Sequence, residues 1–311
     1  MSDCPIPAGI SAEAREVYLQ EPPPLGAFDV RVPAQAAELR ALLDPQFAET
    51  IGLVEHPYQL DEDKLGGVPG LWVSTPNTTL DNAALLYLHG GGYVVGTPTT
   101  AAALAVSIAH QAGMKVFSPD YRLAPEYPFP AALDDAVAAY RGMVDTGYTP
   151  ERIGVAGDSA GGGLGLALVV ALREAGMPMP GALGLISPWT DLTGRGDSVV
   201  TLAGCDPVFS EPEPLFTFAD AYAGDTPLDD SRISPLNANL TGLPPMLIQA
   251  GSREILLSDS TRLAHQAQSA GVDVTLEVWD GMWHVFNMFA NVPEAQQANA
   301  ALGAFFRQRL G

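Results

Sequence analysis

The chain has 311 residues, 47% hydrophobic and 16% charged. It buries a sizeable core, is not a disordered polypeptide, and has the length of one large domain or of one with an appendage. Lys and Arg total 15 against 36 Asp and Glu, a net charge of -21, and Lys64 and Lys115 are the lysines; such a surface repels phosphate backbones and anionic lipid, which argues against nucleic acid and membrane surfaces as partners.

From the N-terminus to about Phe47 the pattern is helical. Ser11 caps a short run with Val17, Tyr18 and Leu19, Pro22 to Pro24 break it, and Ala34–Leu43 forms a second run. After about Ile51 short apolar segments alternate with helical ones. The expected strands are Ala83–Leu88, Lys115–Phe117, Arg152–Ala156, Ala182–Ile186, Met246–Gln249 and Val272–Val278. The expected helices between them are Thr99–Ala112, Ala131–Val144, Gly162–Ala175 and Ser258–Ala270. This alternation predicts an α/β fold with a mostly parallel sheet flanked by helices. Residues 194–230 interrupt it with Gly, Pro and acidic residues around an aromatic segment, Leu215–Tyr222. The expected organisation is a helical cap built from residues 1–47 and 194–230, and a catalytic domain from residues 48–193 and 231–311.

The longest uncharged apolar stretch, Ala160–Leu172, is too short to span a bilayer. The N-terminus lacks the basic start and apolar run of a secretory signal. Cys4 and Cys205 make no disulfide framework and read as free thiols in a reducing cytosol. A soluble, cytoplasmic protein is therefore expected.

Gly157-Asp158-Ser159-Ala160-Gly161 follows an apolar strand and precedes a helical run. That is the strand, tight turn and helix in which G-x-S-x-G presents a nucleophilic serine. A bare Gly-rich turn is the competing reading, and the flanking elements weigh against it. His89-Gly90-Gly91-Gly92 follows another strand, where glycines let main-chain N–H groups converge on a developing oxyanion. A phosphate-binding loop fails there, because no Lys follows and G-x-G-x-x-G is absent. The N–H of Ala160, next to the serine, is a further donor.

A serine needs a base at neutral pH. His89 belongs to the glycine loop, His56 precedes Pro57, and His110 and His265 lie in helical runs. His284 lies in a loop after the last strand and is the candidate. The acid that orients it belongs in the loop after Met246–Gln249, where Glu254 comes early and Asp259 opens a helix. Glu254 is favoured; Asp259 reads as satisfying the N–H groups of its own helix.

Together these residues resemble the bacterial hormone-sensitive-lipase-like esterases, an α/β-hydrolase family. The resemblance spans about Ala83 to Leu302. It also rests on the tract from Asp120 to Glu126, on Pro128-Phe129-Pro130, on Ser187-Pro188-Trp189-Thr190-Asp191-Leu192 and on Gly242-Leu243-Pro244-Pro245. It implies an α/β-hydrolase fold with a cap, Ser159 as nucleophile, His284 as base, and Gly91, Gly92 and Ala160 as oxyanion-hole donors. Many members carry Asp as the acid, whereas the matching loop here offers Glu254. The implied activity is serine carboxylesterase, acting on a small-molecule ester without cofactor or metal. Bulky cap residues such as Phe209, Phe216 and Tyr222 point to short acyl chains. An interfacial lipase for long chains and a receptor on a hydrolase scaffold are the weaker alternatives. A homodimer through an edge strand is open to this fold class, and the sequence does not decide it.

Overall fold

In a computed structural model, residues 4–311 are described, so residues 1–3, where the cap segment and the signal-peptide argument begin, lie outside the described residues. The chain starts with helices α1 (Ala12–Tyr18) and α2 (Pro33–Glu49), the second running past its expected end and through Pro45. Then come strands β1 (Gln59–Leu65), β2 (Val68–Ser74) and β3 (Ala84–Leu88), helix α3 (Ala102–Ala112), β4 (Lys115–Pro119) and α4 (Ala131–Asp145). The second half holds β5 (Ile153–Asp158), α5 (Ala160–Glu174), β6 (Ala182–Ile186), α6 (Ser198–Thr201), α7 (Glu213–Ala223), β7 (Met246–Gly251), α8 (Leu257–Ser269), β8 (Val274–Trp279) and α9 (Pro293–Leu310).

Among the described residues the strands form one eight-stranded sheet in the order β1-β2-β4-β3-β5-β6-β7-β8. Every pair from β4 through β3 to β8 is parallel; β1 and β2 are antiparallel additions at one edge. All residues of β3, β5 and β6 are buried, as expected for strands covered on both faces. Side-chain alternation divides the core. Leu85, Tyr87 and Val116 pack with Leu104 and Ile108 of α3 and with Leu302 and Phe306 of α9. Leu86, Leu88 and Phe117 belong to the opposite layer, with Leu133 of α4, Leu164 of α5 and Leu263 of α8.

Two elements carry weak sequence signals. In β1 the central residues are charged and exposed, as suits an edge strand. Its hairpin to β2 turns at Gly66 and Gly67, both in the left-handed region with φ 57° and 88°. Helix α9 starts with Pro293 at its first turn and is rich in Ala and Gln.

The N-terminal segment is tied down. The Ser11 hydroxyl accepts from the Ala14 N–H at 3.1 Å and donates to Glu294 at the start of α9 at 2.7 Å. The Tyr18 hydroxyl donates to the Gly281 carbonyl at 2.8 Å, and its ring meets Trp283 edge-on. This anchoring brings Cys4 against the 194–230 insertion and overturns the free-thiol expectation: Cys4 and Cys205 form a disulfide, with Cα atoms 5.2 Å apart across 201 residues of sequence. The pairing also removes the thiol argument for a reducing compartment. Among the described residues, no helix is long and apolar enough to cross a membrane.

Replacing Cys4 and Cys205 by Ser frees the N-terminal segment from the insertion and is expected to cost about 2–4 kcal/mol. Denaturant unfolding of the oxidised protein and the double variant measures this, and equal stability would contradict it.

Candidate active site

At the end of β5 the chain turns directly into α5 through Ser159, whose backbone sits at φ 53° and ψ -122°. A side-chain-bearing residue pays for that left-handed geometry and holds it only when its surroundings over-determine it. Here the Ser159 N–H donates to Ile186 O at 2.9 Å, while its carbonyl accepts from Gly163 N at 3.1 Å and Trp189 N at 2.9 Å. The hydroxyl is thereby presented at the C-terminal end of the parallel strands.

His284 comes to it from the loop after β8. Its Nε2 lies 2.9 Å from Ser159 Oγ and its Nδ1 2.8 Å from Glu254 Oε2. A carboxylate only accepts, so Nδ1 carries the hydrogen and Nε2 accepts from the serine hydroxyl. All three side chains are buried, Glu254 completely. Burial pushes the Glu254 carboxyl up, and the hydrogen bond and charge of His284 hold it back. Burial acts against a charged imidazole at His284, yet its pKa is raised, because Glu254 foremost, then Asp206 and Asp158, favour the cation.

The glycine loop follows β3. Gly91 has φ 113° and Gly92 φ 60°. A Cβ on Gly91 would strike the Val95 carbonyl, and one on Gly92 would strike the Phe218 ring. Asp158 ties this loop to the serine turn, accepting from Gly90 N at 3.0 Å and from the Tyr87 hydroxyl. His89 is structural, as its place in the loop suggests. Its Nδ1–H donates to Gly90 O at 2.8 Å, its ring stacks on Tyr121, and burial lowers its pKa to about 4, which keeps it neutral. His56 and His110 stack on each other, and His265 lies in α8.

Asp259 does not serve its own helix as expected. Its Oδ2 accepts from Thr190 N at 2.7 Å and Asp191 N at 2.8 Å, in the tract after β6, and burial pushes its carboxyl up to about 7. The first turn of α8 is buried at Ser258, Asp259 and Ser260, and it turns the Asp259 carboxylate inward to these N–H groups.

Ser159 and His284 open on an apolar cavity lined by Leu43 and Phe47 from α2, Phe209, Leu215 and Phe218 from the insertion, and Met288. Of the expected cap aromatics, Phe209 alone lines it. Leu215, Phe218 and Tyr222 share one face of α7, which leaves Phe216 half-exposed on the other. Tyr222 lies deeper, stacked on Tyr93 with ring centroids 3.7 Å apart. Sequence reasoning also missed Asp158 as a brace and Ser187, whose Oγ accepts from Val285 N at 3.0 Å beside the histidine. Asp158 stands inside the serine motif and was open to notice; Ser187 acts through a main-chain contact with no sequence signature.

A parallel sheet with its serine on a strand–turn–helix bend and its histidine in the loop after the last strand defines the α/β-hydrolase class. Residues 85–288 match the family described as alpha/beta hydrolase fold. An acetyl-hydrolase of Streptomyces hygroscopicus is 43% identical over 232 residues, 74% of this chain and 77% of that protein. An esterase of Acinetobacter venetianus is 36% identical over 248 residues, 79% of this chain and 81% of its own. The crystal structure of an esterase from the bacterial hormone-sensitive lipase family superposes with a TM-score of 0.86 at 41% identity, covering 97% of this chain and 99% of that one. The chain belongs to the bacterial hormone-sensitive lipase family of α/β-hydrolases.

Alanine at Asp259 strands two buried N–H groups without touching Ser159 or His284. It is expected to cost about 1–3 kcal/mol in urea unfolding, with only a small loss of turnover per folded molecule, passed on through the tract that braces Ser159. A large loss of turnover at unaltered stability would give Asp259 a different role.

Proposed function

We propose that this carboxylic ester hydrolase cleaves short-chain acyl esters through an acyl-enzyme intermediate on Ser159. The observation that carries the reading is the continuous hydrogen-bond chain Ser159–His284–Glu254 opening on an apolar cavity. His284 Nε2 takes the hydroxyl proton as Ser159 Oγ attacks the ester carbonyl carbon. Glu254 holds the Nδ1–H tautomer and stabilises the imidazolium. The N–H groups of Gly91, Gly92 and Ala160 receive the negative oxygen of the tetrahedral intermediate, where fixed donors in a buried site act strongly. The imidazolium protonates the leaving alkoxide oxygen, and the alcohol departs. Water, giving its proton to His284, then attacks the acyl carbon; collapse of the second tetrahedral intermediate returns the proton to Ser159 and frees the acid. No step calls for a metal or organic cofactor.

The acyl preference rests on the cavity walls. Phe209 and Phe218 line the cavity from the insertion and Phe47 from α2, so bulky rings limit the room for an acyl chain. Relatives named acetyl-hydrolase and esterase are in keeping with short acyl groups.

Ser159→Ala is expected to abolish hydrolysis of p-nitrophenyl butyrate in a folded protein. Glu254→Gln, which keeps shape and removes charge, should lower kcat by roughly 10² or more. A Ser159→Ala protein with substantial turnover would refute the assignment. Across p-nitrophenyl esters from acetate to laurate, kcat/KM should peak between acetate and hexanoate and fall steeply at longer chains. A maximum at laurate would contradict the short-chain reading.

A further inference from the structure

The insertion between β6 and β7 reaches the catalytic histidine through a carboxylate that the mechanism above leaves unused. Asp206 is 2% exposed. One of its oxygens, Oδ2, accepts from the main-chain N–H of His284 at 2.8 Å. The other, Oδ1, accepts from Val208 N at 2.8 Å and Phe209 N at 2.9 Å. A single side chain therefore joins the loop that carries the base to the loop that lines the cavity. Phe209 continues the connection, its ring centroid 5.7 Å from that of His284.

The histidine loop needs such a hold. Val285, the next residue, has φ 52°, a left-handed geometry that a β-branched side chain strongly resists. Two consecutive N–H groups lead into the strained position, and each has a side-chain acceptor from a different element: Asp206 for His284 and Ser187 for Val285. Losing the first would let the His284 backbone relax, and the imidazole would move with it. A displacement of about 1 Å at a catalytic group is enough to cost on the order of 10²-fold in rate.

Resting on the reading of His284 as the base, we propose that Asp206 is a positioning residue for ester hydrolysis, fixing the His284 backbone in register with Ser159 and linking it to the cavity wall at Phe209. Burial pushes the Asp206 carboxyl up, while the charge of His284 and the three main-chain N–H bonds favour its anion. The groups facing His284 are then Glu254 at Nδ1, Ser159 at Nε2, Asp158 from the end of β5, Asp206 from the insertion and the uncharged Phe209 ring. Tyr18 of α1 is a further titratable group that feels Asp206, and burial holds its hydroxyl protonated. Like Glu254 and Asp158, Asp206 favours the imidazolium. Removing its charge makes His284 easier to deprotonate.

The test compares wild type, Ser159→Ala, Asp206→Asn and Asp206→Glu by kcat, KM and pH profile on p-nitrophenyl butyrate, with melting temperature measured alongside. Asp206→Asn is expected to lower kcat roughly tenfold or more with KM little changed, and to move the acid limb of kcat/KM to lower pH. Asp206→Glu keeps the charge but shifts the carboxylate by one methylene; it should lower kcat and leave the acid limb in place. A lower melting temperature with wild-type kcat and acid limb in Asp206→Asn makes the residue merely structural and overturns the proposal. If Asp206→Asn does not fold, Asp206→Glu decides: reduced kcat supports the proposal, and wild-type kcat, or failure to fold as well, overturns it. Persisting activity in Ser159→Ala would instead strike the esterase reading itself, an outcome distinct from indifference at Asp206.

Discussion

At Ser159 the chain passes from strand to helix in one residue, with a backbone angle that only the surrounding lattice of hydrogen bonds makes tenable. That lattice comes from β6 and the tract behind it: Ile186 accepts the serine N–H, and Trp189 donates to the serine carbonyl. The tract is secured in turn by the Asp259 carboxylate and by Leu236 N, which donates to Thr190 O at 3.1 Å. The parallel arrangement of β3, β5, β6 and β7 then has a direct chemical result. Their C-terminal ends carry the glycine loop, the serine turn, the bracing tract and the Glu254 loop side by side, so residues far apart in sequence converge on one volume.

Electrostatics adds a second layer. A chain of net charge -21 places Glu254, Asp206 and Asp158 about one imidazole. Buried carboxylates are costly unless hydrogen-bonded, and each of these is. Glu254 meets the His284 ring, Asp206 three main-chain N–H groups, and Asp158 a tyrosine hydroxyl and the Gly90 N–H. The anions are held by donors that also define loop shape, so the groups that favour a transient imidazolium are the ones that fix the site's geometry.

The parts legible in the sequence were local. The strands around Ser159 and His89 are short apolar runs, the motifs sit at their ends, and elimination among the histidines led to the one that bonds Ser159. Glu254 was legible because it stands early in the loop after β7. What escaped depended on distant partners or weak patterns. Strand β1 is charged where a buried strand would be apolar, and α9 lacks a strong apolar stripe. The disulfide spans 201 residues and needed the N-terminal anchoring to be visible. Asp206 grips a main-chain N–H 78 residues away, a partner that leaves no residue-type signature. Phe216 is exposed while Phe218 lines the cavity, because composition marks an aromatic segment and only the phase of α7 says which ring faces inward.

The contact between Gly92 and Phe218 has a consequence for how this pocket can change over generations. The ring occupies the space a Cβ on residue 92 would need, and residue 92 is also in the left-handed region. Trimming Phe218 widens the cavity and at the same time removes the steric bar on residue 92, leaving only a backbone cost of roughly 1–2 kcal/mol for alanine there. The reverse order is disfavoured, since alanine at position 92 in the present background collides with the ring. Mutational routes toward bulkier substrates are therefore ordered, with the insertion helix yielding first and position 92 able to vary only afterwards.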